Sequence, residues 1–183
     1  MGYAGGMTRN PDYGNIGDHT EVVQIDYDPA RISYTDLLDI FWNSHNPYGQ
    51  QGSPQYMRAI FYRAQRQQAL ALRSKRAVQG PMGGQVHTRV APERSFTLAE
   101  DYHQKYHLKS YADLAREMRR IYPSEKDFVS STAVARLNGY AGGFGDREQL
   151  HFEIDRLGLS SGSRRFLDNL VKGRASFNAS QYI

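Results

Sequence analysis

Gly2-Tyr3-Ala4-Gly5-Gly6, Asn10-Pro11-Asp12-Tyr13 and Gly17-Asp18-His19-Thr20-Glu21-Val22-Val23 follow one another at the head of the chain, and their reading decides the fold. A glycine-rich turn carries one tyrosine. A loop with Asn-Pro and Gly-Asn turn chemistry comes next and feeds a strand. At period two, residues 20–27 put Glu21, Val23, Ile25 and Tyr27 on one face and Thr20, Val22, Gln24 and Asp26 on the other. Glu21 then points with the apolar set at the mouth of the strand. A partly desolvated carboxyl there is suited to donating a proton. The same glutamate read without its neighbours is a strand end that curls back into water.

Working outward, Asp28-Pro29 forces a turn, and Ser33-x-x-Asp36 reads as a capping box that opens a helix. Tyr34, Leu37, Leu38, Phe41 and Trp42 share one stripe of that helix, which should pack on the sheet. Residues 47–54 form a Gly/Gln/Pro loop, a rim for a groove. A strand over 57–63 follows, then a helix over 64–79 stopped by Gly80-Pro81. The basic face of that helix (Arg66, Arg73, Lys75, Arg76) lacks interleaved aromatics and reads as solvated. Short extended pieces are expected over 85–90 and 96–98. Beyond residue 109 the pattern turns to short helices over 111–120, 125–136, 146–156 and 161–171. Residues 175–183 read as a frayed tail.

Across 183 residues the hydrophobic share is 39% and the net charge +4, with a mean hydropathy of −0.68. These values describe one domain with an appendage, mildly basic, without a nucleic-acid signature. No apolar run has the length of a membrane span and no secretory signal is visible, so a cytoplasmic location is expected. There is no cysteine, hence no disulfide framework and no thiolate nucleophile. Glu100, His103 and His107 fall at metal-ligand spacing on one helical face. Such a site needs further ligands, and the reading is no metal. The string GYAGG recurs at Gly139–Gly143 without matching flanks and reads as a glycine-rich turn, not a repeat.

Taken in order, GYAGG, NPDY, GDHTEVVQIDYDP, ISYTDLLDIFWNSHNP, QYMRAIFY and AEDYHQKY resemble the A-type peptide methionine sulfoxide reductases over residues 2–106. The resemblance implies thiol-dependent reduction of methionine-S-sulfoxide in peptides and proteins. In that family a cysteine in a Gly-Cys-Phe-Trp-Gly turn attacks the sulfoxide sulfur while a glutamate and two tyrosines handle the oxygen. Glu21 matches the proton-donating glutamate, and Tyr3 and Tyr56 match the two tyrosines. His19, Tyr102 and His103 fall in the matched strings as substrate-positioning candidates. The loop at 51–58 departs from the family's best-studied branch: it is two residues shorter and lacks an acidic residue.

The order of elements fits an α+β sandwich with helices on one face of a mixed sheet, and the family has a ferredoxin-like core of this kind. The resemblance also implies a strand, a helix and the cysteine turn before GYAGG. The expectation is therefore an N-terminally truncated core over 1–109 and a helical extension over 110–183. As written, the chain should not turn over. A cysteine or selenocysteine upstream would supply the nucleophile. No bound cofactor is implied, only an external thiol reductant such as thioredoxin, and the chain should be a monomer. The alternative is a non-catalytic module that binds sulfoxide or a partner protein.

Overall fold

The computed structural model describes residues 1–49, 52–80 and 84–179, with side chains described up to residue 173. The chain divides into two compact units, Met1–Glu100 and Asp101–Ile183. Among the described residues it is mixed α/β, with two small sheets and eight α-helices.

In the first unit, β1 (Gly2–Ala4) lies between β2 (Thr20–Val22) and β5 (Phe96–Leu98) in an antiparallel sheet. The register sets Tyr3 opposite Glu21 on one side and Thr97 on the other. Directly opposed residues project to the same face, so this register alone brings a tyrosine and a carboxylate together. The strand expected over 20–27 stops at Val22, because three-residue β1 ends its pairing at Gly2. Val23 and Ile25, expected to share the apolar face with Glu21, are exposed.

The second sheet is a parallel pair, β3 (Ala59–Tyr62) and β4 (Arg89–Pro92), with Ala59 opposite Arg89 and Tyr62 opposite Pro92. Helix α2 (Gln65–Gln79) joins them, as a parallel pair requires. The strand expected over 85–90 is thus displaced, since β3 offers only four partners and the register assigns them to 89–92. Val86 is nevertheless buried.

Helix α1 (Tyr34–Asn43) begins with the expected capping box. The Asp36 amide donates to Ser33 Oγ at 3.1 Å, and the Ser33 amide donates to the Asp36 carboxylate at 2.8 Å. The Ser33 hydroxyl also donates to the Asp36 carboxylate, at 2.7 Å, and this bond first, then the Ser33 amide's, holds the Asp36 carboxyl below its ordinary range. The helix buries Leu38 and Trp42 against Ile60, Ala71 and Val86. Trp42 Nε1 donates to Ser74 Oγ at 3.0 Å, which satisfies the indole inside that core. On the basic face of α2, Arg66, Arg73 and Arg76 are exposed as expected. Lys75 instead turns in and donates to the Thr88 carbonyl at 2.7 Å. Gly80 ends α2 at φ +60°; Pro81, expected to reinforce that stop, lies outside the described residues, as do residues 50–51 of the expected rim loop.

The second unit is helical: α3 (Tyr106–Lys109), α4 (Ala112–Ile121), α5 (Glu125–Ser130), α6 (Thr132–Ala141), α7 (Arg147–Glu153) and α8 (Ser161–Ala179). Their apolar stripes close a core around Leu108, Met118, Phe128, Leu137, Leu150 and Leu167, each fully buried. The helix expected over 125–136 is two helices. Ser131 leaves helical geometry at ψ 128° and its hydroxyl accepts the Val134 amide at 3.2 Å, starting a new helix. Of the expected frayed tail, 175–179 continue α8, and 180–183 lie outside the described residues. No helix among the described residues is long and apolar enough to cross a membrane.

Candidate functional site

The glycine-rich turn is built so that its tyrosine faces inward. Gly5 sits at φ +85°, and a Cβ on it would run into the Phe61 ring, so only glycine fits. Tyr3 is 1% exposed, and its hydroxyl donates to Glu100 Oε2 at 2.7 Å. The other oxygen of Glu100 accepts the Tyr13 amide at 2.9 Å. One carboxylate therefore holds the buried tyrosine and the NPDY loop together. The Tyr3 hydroxyl proton, expected to serve substrate, is committed to Glu100.

The loop after the turn is braced by its own polar residues. His19 is buried; Nδ1 accepts the Gly6 amide at 3.3 Å and Nε2 lies 2.9 Å from the Thr8 carbonyl. A carbonyl can only accept, so the ring is the neutral tautomer with its proton on Nε2. Both nitrogens are spent on the turn, and His19, expected to touch substrate, braces the loop. Beside it, Asp18 accepts the Met7 amide at 2.9 Å, the Thr8 amide at 3.0 Å and the Thr8 hydroxyl at 2.8 Å. These bonds, those of Thr8 and Met7 first, hold its carboxyl well below the usual range.

Glu21 is half-buried on β2, and its Oε1 accepts Gln55 Nε2 at 2.7 Å. Gln55 and Tyr56 belong to a single 3-10 turn, Pro54–Tyr56. Thr20, the neighbour of Glu21, hangs that turn on β2 by donating its hydroxyl to the Pro54 carbonyl at 2.9 Å. Tyr56 is 61% exposed. Partial desolvation of the phenol, then the Glu21 carboxylate, then Tyr13 and its side-chain hydrogen bond raise the Tyr56 phenol above its ordinary range. Gln55 opposes this weakly through its own bond to Tyr56. Tyr56 thus keeps its proton at neutral pH and above.

The structure brings together Tyr3, Glu21 and Tyr56 of the expected set, with His19 in the supporting loop. Tyr102 and His103 lie in the second unit, on the 3-10 turn Asp101–His103, their rings 4.3 Å apart. The Glu100-His103-His107 spacing makes no cluster: among the described residues, no three His, Cys, Asp or Glu side chains gather as a metal site would need. Three participants escaped the sequence reading: Gln55, Tyr13 and Glu100. Gln55 adjoins Tyr56 in sequence and was within reach. Glu100 stands 97 residues from Tyr3, and only the pairing of β1 with β5 brings it there.

An acid beside two phenols and an amide is an array for a single oxygen acceptor that takes a proton or hydrogen bonds. A family model described as peptide methionine sulfoxide reductase matches residues 1–137. The chain is 40% identical over 169 residues to a peptide methionine sulfoxide reductase of Drosophila melanogaster, covering 91% of this chain and 67% of that protein. It is 38% identical over 146 residues to peptide methionine sulfoxide reductase A5 of Arabidopsis thaliana, covering 76% and 57%. It is 38% identical over 118 residues to peptide methionine sulfoxide reductase MsrA of Methanococcus maripaludis, covering 60% and 75%. The chain spans 67% and 57% of the lengths of the first two of these relatives.

Proposed function

Since the chain belongs to the peptide methionine sulfoxide reductase family, we propose that Glu21, Tyr56 and Tyr3 form the oxygen-handling side of a site for methionine sulfoxide in peptides and proteins. Glu21 gives a proton to the sulfoxide oxygen, Tyr56 donates a hydrogen bond to it, and Tyr3 holds the array from its buried end through Glu100. The net step converts sulfoxide and thiol to thioether and sulfenic acid, so the oxygen leaves methionine for sulfur. A second thiol, such as thioredoxin, then clears the sulfenic acid.

The attacking thiol or selenol comes from outside these 183 residues, which hold no cysteine. A hydroxyl or imidazole is too hard to attack a sulfoxide sulfur. By itself the chain binds sulfoxide and does not reduce it. We further propose that residues 1–109 are a ferredoxin-like reductase core and 110–183 a helical extension, in a cytoplasmic monomer without a bound cofactor. Tyr102 and His103 remain candidates for positioning substrate. The absence of cysteine also favours a second reading, a non-catalytic module that recognises sulfoxide or a partner protein.

The observation that carries the reading is the Glu21 carboxyl, which stands opposite Tyr3 across the sheet, 2.7 Å from the Gln55 amide and beside the phenol of Tyr56. Titrating the purified chain with dimethyl sulfoxide or a methionine sulfoxide peptide, followed by NMR, tests it. Saturable binding is expected, with Glu21→Gln weakening it at least tenfold. Unaltered binding by that variant overturns the assignment, and turnover with dithiothreitol overturns the claim that the nucleophile lies elsewhere.

A further inference from the structure

The loop after the glycine-rich turn is held by its backbone. Three successive amides are engaged: Gly6 donates to His19 Nδ1 at 3.3 Å, and Met7 and Thr8 donate to the Asp18 carboxylate at 2.9 and 3.0 Å. A Cβ on Gly6 would sit 2.5 Å from that carboxylate, so the two segments approach closely only because residue 6 has no side chain. The Met7 side chain stands outside this bracing. It is 75% exposed, an apolar thioether set in water on a firmly held stretch of chain. The other methionines are placed differently. Of the five in the chain, Met118 is fully buried in the helical core, Met1 and Met57 are half-buried, and Met82 lies outside the described residues. A buried thioether meets an oxidant only when its surroundings open, whereas an exposed one meets it directly.

We propose that Met7 is a reversible oxidation site, converted to the sulfoxide by hydrogen peroxide and returned to the thioether by a separate, cysteine-bearing reductase. In the forward step a lone pair of the Met7 sulfur attacks one peroxide oxygen and the O–O bond breaks. The departing hydroxide takes the proton left on the transferred oxygen and becomes water. Sulfur gives up two electrons and peroxide receives them. The sulfoxide is polar, but it forms on a side chain that the loop's bonds do not use, so the fold tolerates it. The return step rests on the reading above that this chain has no attacking thiol of its own. A thiolate of another protein attacks the sulfoxide sulfur, and the oxygen passes to it as a sulfenic acid. A second thiol then closes a disulfide with release of water. The exposure that admits peroxide also admits the active site of that second protein.

The test uses the whole chain, with hydrogen peroxide as the oxidant and peptide mass spectrometry as the readout, fragmentation separating Met1 from Met7. Met7 should gain its oxygen ahead of Met1 and Met57, and about tenfold or more ahead of Met118, whose access needs the core to open. In urea that order should collapse. The oxidised chain should keep its melting temperature and the amide shift of Thr8, the reporter of the Asp18 brace. Met7→Leu should leave the peptide spanning residues 1–9 slow to take up oxygen. For the return step, a cysteine-bearing methionine sulfoxide reductase with dithiothreitol should remove the oxygen from the S epimer at Met7 in the folded chain.

Oxidation of Met1, Met57 or Met118 ahead of Met7 overturns the proposal. So does an order that survives in urea, because the cause would then be local sequence and not the fold. If the added reductase repairs a free peptide of residues 1–9 but leaves Met7 of the folded chain oxidised, reversibility falls. Loss of the oxygen with dithiothreitol alone overturns the need for a second protein, and with it the reading that the nucleophile lies elsewhere. The order of oxidation is decided independently of that reading.

Discussion

The same five residues, GYAGG, occur at positions 2–6 and 139–143 and fold in two ways. In the first copy Gly2–Ala4 is the central strand of a sheet, and Gly5 turns the chain at φ +85°. In the second, residues 139–141 are the last turn of α6, Gly142 caps it, and Gly143 makes the turn at φ +88°. The positive φ thus moves by one glycine between the copies. Both tyrosines are buried, and both donate to a glutamate: Tyr3 to Glu100 at 2.7 Å, Tyr140 to Glu153 at 2.6 Å. What differs is what lies around them. Glu100 also holds the loop of Tyr13 beside the candidate site, whereas Glu153 pairs with the partly exposed Arg136 at 3.5 Å within the helical unit. Five letters set a flexible turn and an inward phenol; the pairing partners set the secondary structure.

Substitution of the first glycine in each copy separates the two most sharply. A Cβ on Gly2 would sit 2.5 Å from the Thr97 carbonyl and inside the Phe96 ring, and the strand backbone cannot give way. Gly2→Ala should lower stability by about 3 kcal/mol, read as loss of the first unit's transition in a urea melt. Equal stability of this variant would mean that β1 is not the centre of the sheet.

The tyrosine of the second copy gives the next effect. Tyr140→Phe leaves an oxygen of Glu153 without its donor and should cost about 2 kcal/mol in the second unit's melt. The Tyr140 phenol is held far above its usual range, by burial first and then by the Glu153 bond. It should therefore stay silent in an alkaline titration that ionises exposed tyrosines.

Gly139→Ala reverses the sign seen at Gly2. Nothing lies within 4 Å of the added methyl, and alanine stabilises a helix over glycine by about 0.5–1 kcal/mol. A raised melting temperature is expected, and a lowered one would break the contrast.

The smallest effect concerns acid. Asp18 braces the loop after the first copy, and its folded carboxyl titrates below the unfolded value of about 3.9. A depressed folded value means that stability is gained above the unfolded pKa and lost as pH falls toward the folded one. The Met7 and Thr8 amide shifts should therefore hold through pH 4 and move only at markedly lower pH.

Local signals were legible wherever one segment decides its own structure. Ser33 and Asp36 announced α1, and the apolar stripe announced its buried face. The tyrosine, glutamate and QY motif that converge on the site could be named because their strings resemble a family. The extent of strand β2 was not legible: period-two alternation runs on to Tyr27, but only a partner can extend pairing past Val22. Ser131 was hidden inside an apolar period that spans two helices. Glu100 and Tyr13 were invisible for a related reason, since their roles exist only once β1 has taken β5 as a neighbour.

Trp42 is the one tryptophan in the chain, packed in the first unit with its indole N–H bound to Ser74. Indole emission therefore watches that unit alone. Excited at the red edge, where tyrosine is dark, a thermal or denaturant trace reports the sheet-bearing unit without interference from the second unit. Circular dichroism at 222 nm, to which α3 to α8 contribute more than α1 and α2, follows mainly the other half. The molecule thus carries its own pair of optical channels for asking whether its two units lose structure together or in turn.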